Sequence, residues 1–469
     1  MILNEFDNHI KNETIYKPEQ IEEVIKLVRK NFRFHRVNTK HRYFNVPAAF
    51  DIETSSFYNA DNEKCGLMYA WSFGIYGLVI VGRTWDEFTT MMDKIVEILG
   101  LNDMTRLIIY VHNLQFDFQF FRSHFEFEKV FASDHRKPLY ALTESGIEFR
   151  CSYMLSGLSL AKVGENLLTY KVQKKVGDLD YSKIRHSQTK LNKKETGYIV
   201  ADAKVVMAYI AEEIENYDGI GNLPLTKTGY VRKYCRNYCF TDPETGKRDK
   251  KKFYEMKDLM QDLTIDDKAM YDDLKNGFAG GFTHCNALYA KKMIGTSKNC
   301  EVKGKISSWD FTSAYPACMI AERYPMSHAI KVDCTELTEE QFKHYNQMYC
   351  TLFTITFYNL KEKPDAADNY ISQSKCIQLS KDAVINNGRV VSATECEITI
   401  TNVDLEIINW IYDYKEYSVA NLYAWFKDYL PKDFMLSILE LYKNKTELKG
   451  VMDKQAEYMV SKGMLNACY

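Results

Sequence analysis

Two acidic side chains, Asp51 and Glu53, sit one residue apart where an apolar, strand-like run over 46–52 comes to its end. Alternate residues of an extended chain point to the same side, so a strand here turns both carboxylates toward one cation. Further strand-like runs cover 71–81 and 107–111, and a helical stretch near 85–99 separates them. This alternation predicts an α/β domain reaching to about residue 216. Ahead of it, 18–32 reads as an amphipathic helix with Ile21, Val24, Ile25 and Val28 on one face. Within it, 171–194 is basic and polar and reads as an exposed loop.

A chain of 469 residues exceeds one ordinary domain, and about three are expected. With 46% hydrophobic residues it can fill several cores, which excludes wholesale disorder. A net charge of -2 and a pI near 6.6 exclude a histone-like coat of nucleic acid, but not a local basic channel. Tyrosine is abundant, with 33 copies; its rings can stack on bases, although core and surface packing account for most of them. Twelve scattered cysteines, with only Cys235 and Cys239 closely spaced, point to a reducing cytoplasm rather than zinc. The N-terminus carries no basic-then-apolar signal and no run approaches a membrane span, so no membrane partner is expected.

Two more acidic motifs follow the first. His112-Asn113-Leu114-Gln115-Phe116-Asp117 places an Asp just past the apolar run 107–111. Tyr198-Ile199-Val200-Ala201-Asp202 reads as the opening of a helix, and a spacing of four stacks Tyr198 and Asp202 on one face. Together Asp51, Glu53, Asp117 and Asp202 can hold two Mg²⁺ or Mn²⁺ ions about 4 Å apart, with Tyr198 beside the attacking water. Asp-x-Glu, Asn-x-x-Phe-Asp and Tyr-x-x-x-Asp, in this order, resemble the three proofreading motifs of family B DNA polymerases. The resemblance implies a 3′-5′ exonuclease in which Thr54, Asn113 and Phe116 grip a single-stranded DNA 3′ end. Gly177-Asp178-Leu179-Asp180-Tyr181 is similar to a segment of the phage-type enzymes and adds Tyr181 to the DNA-binding set. The Lys expected in that segment is Val176 here, with Lys174 and Lys175 just before it. Ser152 matches another DNA-binding position loosely.

Downstream, Phe278-Ala279-Gly280-Gly281-Phe282 resembles the Tyr-x-Gly-Gly linker between exonuclease and polymerase domains; Gly280 and Gly281 either let backbone amides approach a DNA phosphate or permit a tight turn. Asp310-Phe311-Thr312-Ser313-Ala314-Tyr315-Pro316, after a strand-like run over 305–309, resembles polymerase motif A. The resemblance makes Asp310 a metal ligand, gives the Phe311 carbonyl to the nucleotide metal, and sets Tyr315 under the dNTP sugar, where it excludes a 2′-OH. Thr401-Asn402-Val403-Asp404-Leu405-Glu406 is similar to a segment of the protein-primed branch, where an insertion meets the priming protein and DNA; by itself it reads as a helix cap. Lys462, Asn466 and Tyr469 resemble motif B, implying a triphosphate contact from Lys462 and contacts from Asn466 and Tyr469 to the nascent base pair or the template. Lys443 or Lys445 offers a further triphosphate contact.

The expected fold class is therefore α/β multidomain: an RNase H-like 3′-5′ exonuclease domain followed by an incomplete polymerase palm with insertion and fingers helices. The divisions expected are an N-terminal extension over 1–45, the exonuclease domain over 46–216, a linker and palm entry over 217–300 and palm with motif A over 301–335. An insertion-like region over 336–420 and fingers helices over 421–469, helical from Leu422, complete the chain. No Tyr-x-Asp-Thr-Asp motif follows Asp310, and the sequence stops at Tyr469 inside motif B. The expectation is the N-terminal portion of a viral or plasmid DNA polymerase. It would edit a single-stranded 3′ end, bind primer-template, meet a terminal priming protein, and synthesise only with a complementing C-terminal polymerase fragment. The rival readings are a stand-alone exonuclease relic and a non-catalytic DNA or priming-protein binding module.

Overall fold

The computed structural model describes residues 5–37, 40–172, 180, 183–242, 244–283, 289, 291–366, 368–451 and 454–468. They fall into two compact units, one formed by residues 1–234 with 441–468 and the other by residues 235–440.

In the first unit the chain runs α1 (Phe6–Lys11), β1 (Ile15–Tyr16), α2 (Ile21–Val28), β2 (Phe34–Arg36), β3 (Arg42–Phe44) and β4 (Ala48–Tyr58). Next come β5 (Lys64–Ile75), β6 (Leu78–Gly82), α3 (Trp85–Leu99), β7 (Thr105–Val111) and α4 (Leu114–Phe121). The unit continues through β8 (Phe127–Ala132), β9 (Pro138–Thr143), β10 (Ile147–Cys151), α5 (Ser152–Ser156), α6 (Leu160–Asn166) and α7 (Lys193–Asn216). Its mixed sheet has the order β1-β6-β5-β4-β7-β10-β9-β8. The expected strand over 71–81 is two strands, because Tyr76 (φ 50°) and Gly77 (φ 90°) adopt the left-handed backbone of a tight hairpin turn between β5 and β6.

The central strands hold the acidic residues in place. Strand β4 pairs antiparallel with β5 along its whole length. It pairs parallel with β7 only through Ala49 opposite Tyr110 and Phe50 opposite Val111. Phe50, fully buried, stacks on Phe88 at 4.4 Å and meets Phe121 edge-on at 5.8 Å. Removing that ring would cost about 3–5 kcal/mol, so β4 is anchored one residue before Asp51. Helix α3 is set by a Thr84–Glu87 capping box and ends at Gly100 in the left-handed conformation. Helix α7 begins at Lys193, earlier than the expected opening at Tyr198, because Asn192 and Glu195 form a capping box. It packs against β4 and β5. A Cβ at Gly74 would come within 2.4 Å of the Met207 methyl, so glycine there permits the close approach.

Helix α8 (Lys227–Phe240) runs from the first unit into the second, which continues with α9 (Lys250–Asp262), α10 (Lys268–Gly277), β11 (Ile294–Gly295), β12 (Val302–Lys303) and α11 (Ala314–Ala321). Strands β13 (Tyr324–Pro325) and β14 (Ile330–Lys331), helix α12 (Glu339–Met348), and β15 (Tyr349–Glu362), β16 (Cys376–Leu379), β17 (Val384–Asn386) and β18 (Arg389–Thr401) follow. Then come α13 (Asn402–Ile411), β19 (Tyr412–Asp413), β20 (Glu416–Asp428), α14 (Lys432–Leu448) and α15 (Gln455–Asn466). The last residues of α14 and all of α15 return to the first unit. The second unit's antiparallel sheet, β13-β20-β15-β18-β16, buries Phe353, Phe357, Val390, Cys396 and Leu422.

Two local expectations are corrected here. Residues 305–309 form no strand; they are exposed chain without regular structure. Helicity does not begin at Leu422, which lies in β20; the chain turns helical only at Lys432.

Candidate active site

Strand alternation turns Asp51 and Glu53 to one face of β4, and α7 brings Asp202 to meet them. Each of the three can place a carboxylate oxygen within 4.8 Å of the others. Asp51 is half-buried, while Glu53 and Asp202 are buried. Tyr198, one turn before Asp202 on α7, is buried as well. Asp117, in the first turn of α4, is not one of these three acidic residues; its Oδ1 accepts the Ile52 amide at 3.2 Å, between the two acidic residues of β4.

Burial pushes the Asp117 carboxyl well above the usual carboxylate range; the Ile52 amide pulls it back in part, and the Glu53 charge adds to the rise. Converging carboxylates in a partly desolvated place repel one another, and a divalent cation relieves that repulsion. Hard oxygen donors at this spacing suit Mg²⁺ or Mn²⁺. The donor set therefore fits a divalent metal, with Asp51, Glu53 and Asp202 as the residues that can hold it.

A β-bulge sits at this site. Glu53 lies opposite Ala70 and Thr54 opposite Met68, so Tyr69 is the extra residue in β5. Bulges twist a strand locally and re-aim its side chains. Thr54, half-buried, follows Glu53 immediately. Asn113 takes the left-handed conformation (φ 71°, ψ 48°) at the start of α4, a place Asn tolerates better than most residues. After that turn Phe116 is 46% exposed while Asp117 is buried. Ser152 is buried with its Oγ 3.1 Å from His112 Nδ1, which lies just past the end of β7. Tyr181, Val176, Lys174 and Lys175 lie outside the described residues.

The polymerase candidates of the second unit do not join an acidic cluster of this kind among the described residues. Asp310 lies in exposed chain with Trp309 (93% exposed) and Phe311 (87%) beside it, and Tyr315 is exposed in the first turn of α11. These residues belong to the second unit, whereas Lys462 and Asn466, exposed on α15, belong to the first. Tyr469 lies outside the described residues. Among the described residues Asp310 joins no acidic group able to hold a metal. Gly280 and Gly281 are exposed, and a Cβ on either would meet nothing within 4 Å. Asp404 does cap a helix: its Oδ2 accepts the Thr401 amide at 2.9 Å at the start of α13.

Two residues escaped the sequence reading. Arg185, set in the basic run expected to be an exposed loop, is buried and paired with Glu195 at 2.7 Å. Arg83 donates to the carbonyl of Tyr69, the bulge residue, at 2.7 Å. The sequence carried one usable signal, the Asn192–Glu195 capping pattern.

The fold is shared with solved DNA polymerases. The structures concerned are those of Phi29 DNA polymerase. Its complex with primer-template DNA and incoming nucleotide matches with a TM-score of 0.60 and 17% identity, over 91% of this chain and 67% of that one. The post-translocation binary complex with primer-template DNA gives a TM-score of 0.62 at 15% identity over 90% and 67%. The complex with single-stranded DNA gives 0.59 at 16% over 90% and 66%. The present chain thus spans about two thirds of the length of those polymerases. No protein-family model and no curated protein sequence matches it.

Proposed function

We propose that the carboxylate group of the first unit is the centre of a metal-dependent 3′-5′ exonuclease acting on single-stranded DNA, within a DNA polymerase of the protein-primed, phage type. The observation that carries this reading is the convergence of Asp51, Glu53 and Asp202 to within 4.8 Å, with Asp117 buried against the same strand. The shared fold supports it, because Phi29 DNA polymerase has been solved with single-stranded DNA.

Divalent ions held by Asp51, Glu53, Asp117 and Asp202 would supply an activated water and neutralise charge on the departing 3′ oxygen. The chain's own residues do the rest. Asp117 holds the β4 backbone at Ile52, between Asp51 and Glu53. Tyr198 orients the attacking water by hydrogen bonding. The exposed Phe116 ring stacks on the terminal base without regard to its identity, as editing requires. Asn113 and Thr54 contact the last nucleotides, and Tyr181 is assigned to the same strand.

Asp310, Phe311 and Tyr315 are assigned to dNTP binding by their likeness to motif A, and Lys462, Asn466 and Tyr469 to the same substrate by their likeness to motif B. Gly280 and Gly281 are assigned to DNA phosphates, and the β-rich part of the second unit to a terminal priming protein. In-line nucleotidyl transfer requires a second carboxylate beside Asp310. None stands in the expected motif after Asp310, so synthesis is not assigned to these residues alone.

The test is a time course on single-stranded DNA labelled at its 5′ end, with Mg²⁺ or Mn²⁺. Stepwise shortening from the 3′ end that disappears in Asp51→Ala and Asp117→Ala is expected. Equal metal-dependent rates in wild type and both variants would defeat the assignment.

A further inference from the structure

Arg83 and Arg185 form one network around the β5 bulge that lies opposite Glu53 and Thr54. Arg83 donates to three carbonyls: from Nε to Tyr69 at 2.7 Å, and from Nη2 to His186 at 3.0 Å and Thr189 at 2.8 Å. The bulge carbonyl is thereby satisfied, and residues 186–189 are tied to it. Arg185 reaches the side chain of Tyr69, its guanidinium 5.7 Å from the ring centre. Its own amide donates to Ser55 Oγ at 2.8 Å, two residues beyond Glu53. Its guanidinium donates twice to Glu195 Oε1, at 3.0 and 2.7 Å, and also to the carbonyl of Asp180 at 2.8 Å.

Glu195 closes the circuit. Its other oxygen accepts the Asn192 amide at 2.9 Å in the capping box that starts α7. Asp202 lies seven residues further along α7, about two turns. Arg185 therefore contacts the β4 segment after Glu53 through its amide, and through its guanidinium it holds the first turn of the helix that carries Asp202 two turns further on. Neither arginine bonds a metal-site carboxylate in any of these contacts; they act on the backbone that presents two of them.

We propose that Arg83 and Arg185 are positioning residues for the metal site. Arg83 locks the bulge that directs Glu53, and the Arg185–Glu195 pair sets the axial position of α7 and so of Asp202. This rests on the reading above only in taking the carboxylates as cation ligands. Groups that orient metal ligands typically matter by 10–100-fold in metal affinity.

The experiment is Mn²⁺ binding by the full chain, read from the electron paramagnetic resonance of free Mn²⁺, for wild type, Arg83→Lys and Arg185→Lys. Thermal unfolding is followed in parallel. About tenfold or greater weakening of Mn²⁺ binding in a folded variant is expected, with kcat on single-stranded DNA falling and KM unchanged. Arg83→Lys, which breaks no ion pair, decides if Arg185→Lys fails to fold. Wild-type Mn²⁺ affinity in folded variants, or unfolding of both, would overturn the proposal and make the arginines stability residues. Wild type that binds Mn²⁺ yet leaves DNA intact would instead sink the exonuclease reading while the effect of the arginines is still measured. Wild type that binds no Mn²⁺ would remove both.

Discussion

Asp202 in the first unit and Asp310 in the second each stand in an acidic motif that resembles a polymerase-family signature, yet their surroundings differ sharply. Asp202 is buried on a long packed helix and converges with Asp51 and Glu53. Asp310 is exposed in irregular chain. A solvated carboxylate costs nothing and so says little about a ligand. Buried carboxylates brought together against their mutual repulsion must be offset by protons, hydrogen bonds or a cation. Structural convergence, more than the motif, separates the two.

Substitution of the carboxylates should split the regions most widely. Asp51→Ala or Asp117→Ala should lower the 3′-5′ degradation rate roughly a hundred-fold or more, whereas Asp310→Ala should leave it unchanged in the same gel assay. An equal loss from Asp310→Ala would erase the contrast. Next in size is the stabilisation by metal. Mn²⁺ at a hundred times its Kd adds about 2.7 kcal/mol, or roughly 5–10 °C in Tm for a unit of this size. Calorimetry should show that gain in wild type and Asp310→Ala, and lose it in Asp51→Ala; chelation should reverse it.

Glu213 sharpens the contrast within the first unit itself. Burial raises its carboxyl to about 7, and the Tyr230 hydroxyl donates to it, pulling the value back in part. Here a proton and a hydroxyl do what the converging carboxylates leave to a cation. The folded state holds this proton longer than the unfolded chain, so Glu213 contributes stability at low pH that is lost as pH rises from about 4.5 to 7. Glu213→Gln should flatten that stretch of the urea-unfolding profile and leave Mn²⁺ binding intact. A changed Mn²⁺ affinity would show that the two carboxyl systems are linked. The smallest expected effect lies in the second unit: Thr401→Ala should cost about 1 kcal/mol through the lost helix cap, measured by urea unfolding, with no change in DNA degradation.

Strand period, helix spacing and motif order made Asp51, Glu53, Asp202 and the helix over 85–99 legible, because these depend on neighbours along the chain. What depended on distant partners was hidden. Leu422 lies in a strand because β20 pairs with β15, which outweighs local helical preference. Residues 305–309 have strand-like composition but find no partner among the described strands. Arg185 stood in a basic run, and only Glu195 and Tyr69, brought to it by the fold, set it apart from its exposed neighbours.

Crystals soaked in Mn²⁺ and measured at the manganese absorption edge would test the central claim most directly. An anomalous peak enclosed by Asp51, Glu53 and Asp202 is the predicted result. A protein soaked to saturation with no peak there would contradict it.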